Sequence, residues 1–136
     1  MAAEVYPIHA YRTAAGLFVA GTSVVRCLYV KSTYTYDSTD VYVSDVVAHE
    51  KSPSNRTTVA GWAVTSTATG ATVDSNDIVE TLTGTDTVDA FVLYEFVTND
   101  GDSPLIIWND SFTAFAASGV SETFQLPAGG LIAVAV

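Results

Sequence analysis

The run Val88-Asp89-Ala90-Phe91-Val92-Leu93-Tyr94-Glu95-Phe96-Val97 decides the fold. It is almost continuously apolar and reads as a central strand covered on both faces. Asn99-Asp100-Gly101-Asp102-Ser103-Pro104 follows as a connection of the Asp-Gly kind and leads into Leu105-Ile106-Ile107-Trp108, so a hairpin is expected. Upstream, Val24 to Val30 is β-branched and aromatic, bounded by Ser and Thr, and reads as another strand. Thr57 to Thr69 alternates, with Val59, Gly61 and Ala63 on one face and Thr58, Ala60, Trp62 and Val64 on the other. Gly70 then turns the chain into Ala71-Thr72-Val73. Ile78 to Thr83 forms a further strand, and Thr123 to Leu126 and Leu131 to Val136 supply two more around a Pro127–Gly130 turn.

Only Ile8 to Val19 reads as a helix. Ile8, Tyr11, Ala15 and Phe18 recur at spacings of three to four, and Gly16 and Gly21 limit its length. Lys31 to Asp40 is a Ser/Thr/Tyr/Asp loop, Val41 to Val47 is a strand or a short helical turn, and Pro53-Ser54-Asn55 punctuates the chain. The expectation is a mainly β protein, an antiparallel β-sandwich of seven or eight strands after one short N-terminal helix. Neither an internal repeat nor a linker is visible, so residues 1–136 read as one domain with an arm at 1–7.

Composition narrows the function classes. Apolar residues make up 49% of the 136 residues and charged residues 15%, against about 25% charged in a typical soluble domain. Disorder is excluded by that apolar content. The uncharged stretch between Arg12 and Arg26 is shorter than the roughly 17–25 residues of a membrane-crossing helix. The start of the chain does not read as a secretory leader, since its first charge is Glu4 and Ala14–Val19 makes a poor apolar region.

The net charge is −10. Arg12, Arg26, Lys31, Lys51 and Arg56 all lie in the first 56 positions, where Glu4, Asp37, Asp40, Asp45 and Glu50 balance them. From Thr57 onward there are ten acidic residues and no Lys or Arg. With no basic stripe, nucleic acid and anionic membrane surfaces are disfavoured partners. A basic protein surface fits the charge, as does plain solubility.

No catalytic constellation is present. Cys27 is single and sits in an apolar strand, where thiols are inert packing. His9 and His49 are the only histidines, and His49-Glu50 reads as a solvated pair. No Gly-x-Ser-x-Gly elbow, phosphate-cradling glycine loop or His-Glu-x-x-His occurs, so no catalytic residue and no cofactor is expected and the chain does not read as an enzyme. Asp74/Asn76/Asp77, Asp86/Asp89 and Asn99/Asp100/Asp102 offer oxygens for structural calcium, but none has the spacing of the twelve-residue calcium loop. They read as solvated loops, and no metal ligand is assigned. Trp62 and Trp108, with Tyr29, Tyr34, Tyr36 and Tyr42, could stack on sugars; core packing and subunit contact are the competing roles.

The order of these pieces resembles a family of small tailed-bacteriophage virion proteins. The resemblance runs from about His9 to the C-terminus. It is carried by the short helix, Val25-Arg26-Cys27-Leu28-Tyr29-Val30 with its Leu-x-Val ending, the Thr33-Tyr34-Thr35 and Asp40 loop, and Val43-Ser44-Asp45-Val46. After the Thr-rich strand come the acidic stretch Val73–Ile78, the block Leu82–Tyr94, and Leu105-Ile106-Ile107-Trp108. No catalytic signature is part of it. The resemblance implies a virion structural role, either capsid decoration (cement) or a head–tail or tail accessory.

A domain poor in charge and rich in apolar and Thr surface fits life against other subunits. The leading expectation is a decoration protein on the capsid surface that caps joints of the major capsid protein and pairs with itself as a dimer or trimer. Its acidic half would face outward or meet basic capsid patches. The arm Met1–Pro7 is too short and mixed to hold itself. It is expected either to clasp a neighbour by strand addition or to pack back on its own domain. Glu4, Val5, Tyr6, Pro7, Trp62 and Trp108 are the candidate subunit-contact residues. A carbohydrate-binding module contacting the host surface is the rival from another class.

Overall fold

The computed structural model describes residues 3–68, 70–124 and 132–135, without the side chains of 64, 65, 67, 70–73 and 132–135. The expected turn at Pro127–Gly130 lies outside the described residues. The protein is mainly β, and every strand pair is antiparallel. The strands are β1 (Ala3–Val5), β2 (Val25–Val30), β3 (Thr57–Thr58), β4 (Ala63–Thr67), β5 (Gly70–Asp74) and β6 (Ile78–Thr81). They continue with β7 (Thr87–Val88), β8 (Ala90–Glu95), β9 (Leu105–Asn109), β10 (Phe115–Ala116), β11 (Ser121–Phe124) and β12 (Ile132–Ala135).

The largest sheet has the order β1-β9-β8-β2-β3. As the apolar run at 88–97 predicts, β8 is its central strand and is buried at all six positions. Side chains alternate across this sheet. Phe91 and Leu93, with Val25, Cys27 and Tyr29 of β2, enter one core; Ala90, Val92 and Tyr94, with Leu28 and Val30, enter a second on the opposite face. The pairing of β8 with β9 shifts between Leu93 and Tyr94, leaving Ile106 as the extra residue. A bulge of this kind turns two successive side chains to one side, and Ile106 and Ile107 both enter the first core.

The two faces are covered differently. The first is closed by Ile78 of β6, Val88 of β7 and Phe124 of β11, with Val59, Leu82, Ala117 and Phe18. β6 pairs with β11 and β7 with β10, giving two small sheets that make the arrangement sandwich-like. The second face is closed by Tyr6, Tyr34 and a one-turn helix, α2 (Val43–Val46), through Val43 and Val46. A third small sheet has the order β12-β5-β4.

Several elements depart from the sequence expectation for identifiable reasons. The first helix, α1, spans Pro7–Ala14 rather than Ile8–Val19. Pro7 at its first position has φ preset for a helix. Its end is set by Gly16 at φ +70, where Leu17 N–H donates to Arg12 O (2.8 Å) and Gly16 N–H to Thr13 O (3.1 Å). This is the Schellman closure, which only a residue at ease with positive φ completes well.

Val41 to Val47 resolves as the helical alternative, because the Asp45 carboxylate accepts from Val41 N (2.9 Å) and Tyr42 N (3.0 Å) and caps α2. Thr57–Thr69 is two strands in different sheets. The break falls at Gly61 (φ +75), where any Cβ would overlap the Asn76 side chain. Val88 and Ala90 likewise belong to different strands, β7 and β8. These two divisions, with the arm strand β1 and the short β10, raise the count from the expected seven or eight to twelve among the described residues, three of them only two residues long. The last two strands do not form a hairpin with each other: β11 pairs with β6 and β12 with β5.

Candidate functional site

The arm is laid back on its own domain. β1 pairs with β9 in the register Ala3↔Asn109, Glu4↔Trp108, Val5↔Ile107. Tyr6 follows with no exposed surface, and its hydroxyl shares a 2.8 Å hydrogen bond with that of Tyr34. Tyr34 in turn donates to Asp40 (2.8 Å), and Tyr36 donates to Val5 O (3.1 Å). Burial, then the bond to Tyr34, raises the Tyr6 hydroxyl far above the ordinary tyrosine range.

Of the six residues expected at subunit contacts, Glu4 and Pro7 are exposed, Val5, Trp62 and Trp108 are half-buried, and Tyr6 is interior. Tyr6 therefore has no surface to offer a neighbour. Trp62 packs on the first core, 6.2 Å from Phe18, and Trp108 on the second, 6.0 Å from Tyr36. The two indoles lie on opposite faces of the large sheet and do not share one platform. Tyr29 is in the first core, Tyr34 and Tyr36 are on the second, and Tyr42 is exposed.

The cysteine and the two histidines are engaged in structural contacts. Cys27 is fully buried, and burial pushes its thiol pKa up, away from reactivity. His9 lies against Phe18 (4.7 Å, edge-on) with Nε2 3.4 Å from Thr13 Oγ1. Burial and then the nearby Arg12 lower its pKa to about 4, so the imidazole is neutral at pH 7. His49 and Glu50 do not form the expected solvated pair. His49 Nδ1 is 3.0 Å from Thr33 Oγ1, while Glu50, its side chain 7% exposed, is gripped by Arg56.

Arg56 holds two carboxylates at once. Its Nε and Nη2 reach Glu50 at 2.9 and 2.6 Å, and its Nη1 and Nη2 reach Asp100 at 2.6 and 3.1 Å. Such fork geometry is the strong form of the ion pair. The acidic turns are spent in the same way: Asp102 Oδ1 accepts from Thr98 N and Asn99 N, and Asn99 Oδ1 accepts from Gly101 N. Asp86 accepts from Ser52 N (2.9 Å), and Asp74 accepts from Ser75 N (2.8 Å). Among the described residues no three His, Cys, Asp or Glu come together as a metal site, and no helix is long and apolar enough to cross a membrane.

Two surfaces that sequence reading missed stand out. At one end, Tyr11, Leu17, Val19, Val24 and Val97 are 45% to 65% exposed. The Arg12–Glu95 ion pair (3.0 Å) and the Phe96 N–H to Val24 O bond (2.8 Å) bring their segments together. The second surface is an open cleft of about 490 Å³ lined by Phe91, Phe112, Phe115 and Phe124, with Glu122 and three hydroxyl residues, Ser111, Thr113 and Thr123. Three of those phenylalanines fall within thirteen positions of the acidic C-terminal third, the one signal in the sequence that pointed there.

No protein-family model, no curated protein and no solved structure matches this chain.

Proposed function

We propose that the protein is a non-enzymatic bacteriophage virion structural protein, a capsid decoration (cement) protein that binds and stabilises the major capsid protein lattice. The observation that carries this reading is the exposed apolar end formed by Tyr11, Leu17, Val19, Val24 and Val97. Apolar side chains left in water on adjoining segments suit a docking face. Covering the half of each side chain now in water is worth on the order of 1 kcal/mol apiece. Repeated over a lattice of copies, such burial would add to the cohesion of a shell. The resemblance of its element order and spacing to small phage virion proteins supports the same reading, and the acidic second half suits contact with basic capsid patches.

The test is co-sedimentation of the purified protein with shells of the major capsid protein, followed by reconstruction of the decorated particle. Binding is expected, with hundreds of copies per particle. The double variant Leu17→Asp, Val97→Asp should keep its circular dichroism and lose at least tenfold in affinity. Six or twelve copies per particle would transfer the protein to the head–tail or tail class. Glycan binding abolished by Trp62→Ala or Trp108→Ala, with no affinity for shells, would replace this reading by a carbohydrate-binding one.

A further inference from the structure

The phenylalanine cleft lies on the first face of the large sheet, away from the arm hydroxyls. Phe91 and Phe112 stack in parallel at 6.3 Å, and Phe124 meets Phe112 edge-on at 5.2 Å and lies 6.2 Å from Phe115. Three consecutive residues of β11, Glu122, Thr123 and Phe124, line it. The cleft therefore borders β11 over most of its length. Among the described residues β11 is paired on one side only, with β6, and β10 on one side only, with β7. Unpaired strand edges with pockets beside them take extended segments as an added strand.

The charge at this edge is one-sided. Glu122 stands directly opposite Glu80 in the β11–β6 register, and Glu80 accepts from the Thr57 hydroxyl. Like charges placed opposite each other on a sheet oppose its pairing unless a cation joins them. The chain's own cations are engaged elsewhere. Arg12 is on Glu95, Lys31 is beside Asp86, and Arg56 is on Glu50 and Asp100. Lys51 is buried on Pro53 O and Asn55, and the Arg26 guanidinium lies 3.8 Å over the Phe96 ring. Phe91 and Phe124 are buried in the floor of the cleft, and Phe112 and Phe115 are half-buried; a carboxylate beside the open parts of such rings is a surface that a guanidinium or ammonium group recognises. Next to the cleft wall, Asn109 is cross-strand from Phe91 and spends its Oδ1 on Ser111 N. Its buried Nδ2 has no partner among the described residues.

We propose that this cleft docks an extended basic segment of a partner protein, which adds as a strand along the free edge of β11 and lays an arginine or lysine side chain across the phenylalanines against Glu122. The assignment does not depend on the partner being a capsid subunit.

A fluorescent nine-residue peptide of alternating arginine and valine, measured by anisotropy against the full chain, tests it. Saturable binding is expected, weakened at least tenfold by Glu122→Lys and by Phe112→Ala, and at least tenfold for the same peptide with citrulline in place of arginine. A net charge of −10 attracts any cation, so Glu4→Lys, which makes the same charge change on the arm, is the control and is expected to change affinity less than twofold. Circular dichroism verifies that each variant is folded, and Glu122→Gln supplies a milder second variant at the same carboxylate. No saturable binding, or equal weakening by Glu4→Lys and Glu122→Lys, would overturn the proposal.

Discussion

On one face of the large sheet, Tyr29, Phe91, Phe112 and Phe124 meet ring against ring at 5.1 to 6.3 Å; on the other, Tyr6, Tyr34 and Tyr36 each use a hydroxyl to hold a particular partner. Both faces bury large aromatic area. The first gains from area and ring geometry, which tolerate sliding and leave a cleft. The second adds directional bonds that tie the arm and the Lys31–Asp40 loop to the sheet in one arrangement. The structural difference explains why an open cleft lies on the phenylalanine side while the tyrosine side is closed by its own chain.

The comparison is broken most directly by equal truncations on the two faces. Leu93 and Leu28 are both fully buried, in the first and second core respectively. Leu93→Ala and Leu28→Ala are each expected to cost about 3 kcal/mol in urea unfolding, from lost transfer energy and the cavity left behind. That is a large share of the ~5–15 kcal/mol a domain usually has. If one truncation were nearly silent, that face would be a loosely packed cover rather than a second core.

Comparable in size is an acid effect at α1, which spans the seam between the faces: Ile8 packs on the second core while His9 packs on Phe18 of the first. The folded pKa of His9 is about 4 against an ordinary 6.5. Below pH 6.5 the unfolded chain takes up a proton that the folded one refuses. Stability is therefore lost as pH falls from 6.5 toward 4 and levels off below that, by about 3 kcal/mol in all. Urea midpoints across this range should fall less steeply in His9→Gln than in the wild type. Parallel curves would mean that His9 is solvated in the folded protein.

Much of this architecture was legible locally. The apolar run at 90–95 had to be covered on both faces, and Asn99–Ser103 had the residues that hydrogen-bond their own turn. What escaped depended on distance along the chain. The Arg56 fork joins positions 6 and 44 residues apart, and the cleft joins Phe91 to rings more than twenty residues later. The end of α1 was misjudged because apolar spacing continues to Phe18 while Gly16 closes the helix first. The arm was undecidable because Ala3–Val5 carries no signal for β9 over a neighbour's edge; the preference has its cause in the burial of Tyr6, its bond to Tyr34 and the bond from Tyr36 to Val5 O.

That bond supplies the finest test of the contrast between the faces. In the chain Tyr6–Tyr34–Asp40, the middle hydroxyl donates to Asp40 and so accepts from Tyr6. Tyr6→Phe removes a donor and leaves Tyr34 still bonded to Asp40, so it should cost about 1 kcal/mol, the net worth of one hydrogen bond. Tyr34→Phe deprives Asp40 of its donor and leaves the buried Tyr6 hydroxyl without an acceptor, and should cost about 2 kcal/mol. The phenylalanine face predicts no such asymmetry, because ring packing there is mutual. Equal losses for the two variants would mean that the hydroxyls act as bulk rather than as a directed relay, and the arm would then be held by β1–β9 pairing, the burial of Tyr6 and the Tyr36–Val5 bond. A loss from Tyr34→Phe near twice that from Tyr6→Phe, with amide exchange quickened in Ala3–Val5 for both, would tie the register of the arm to this relay.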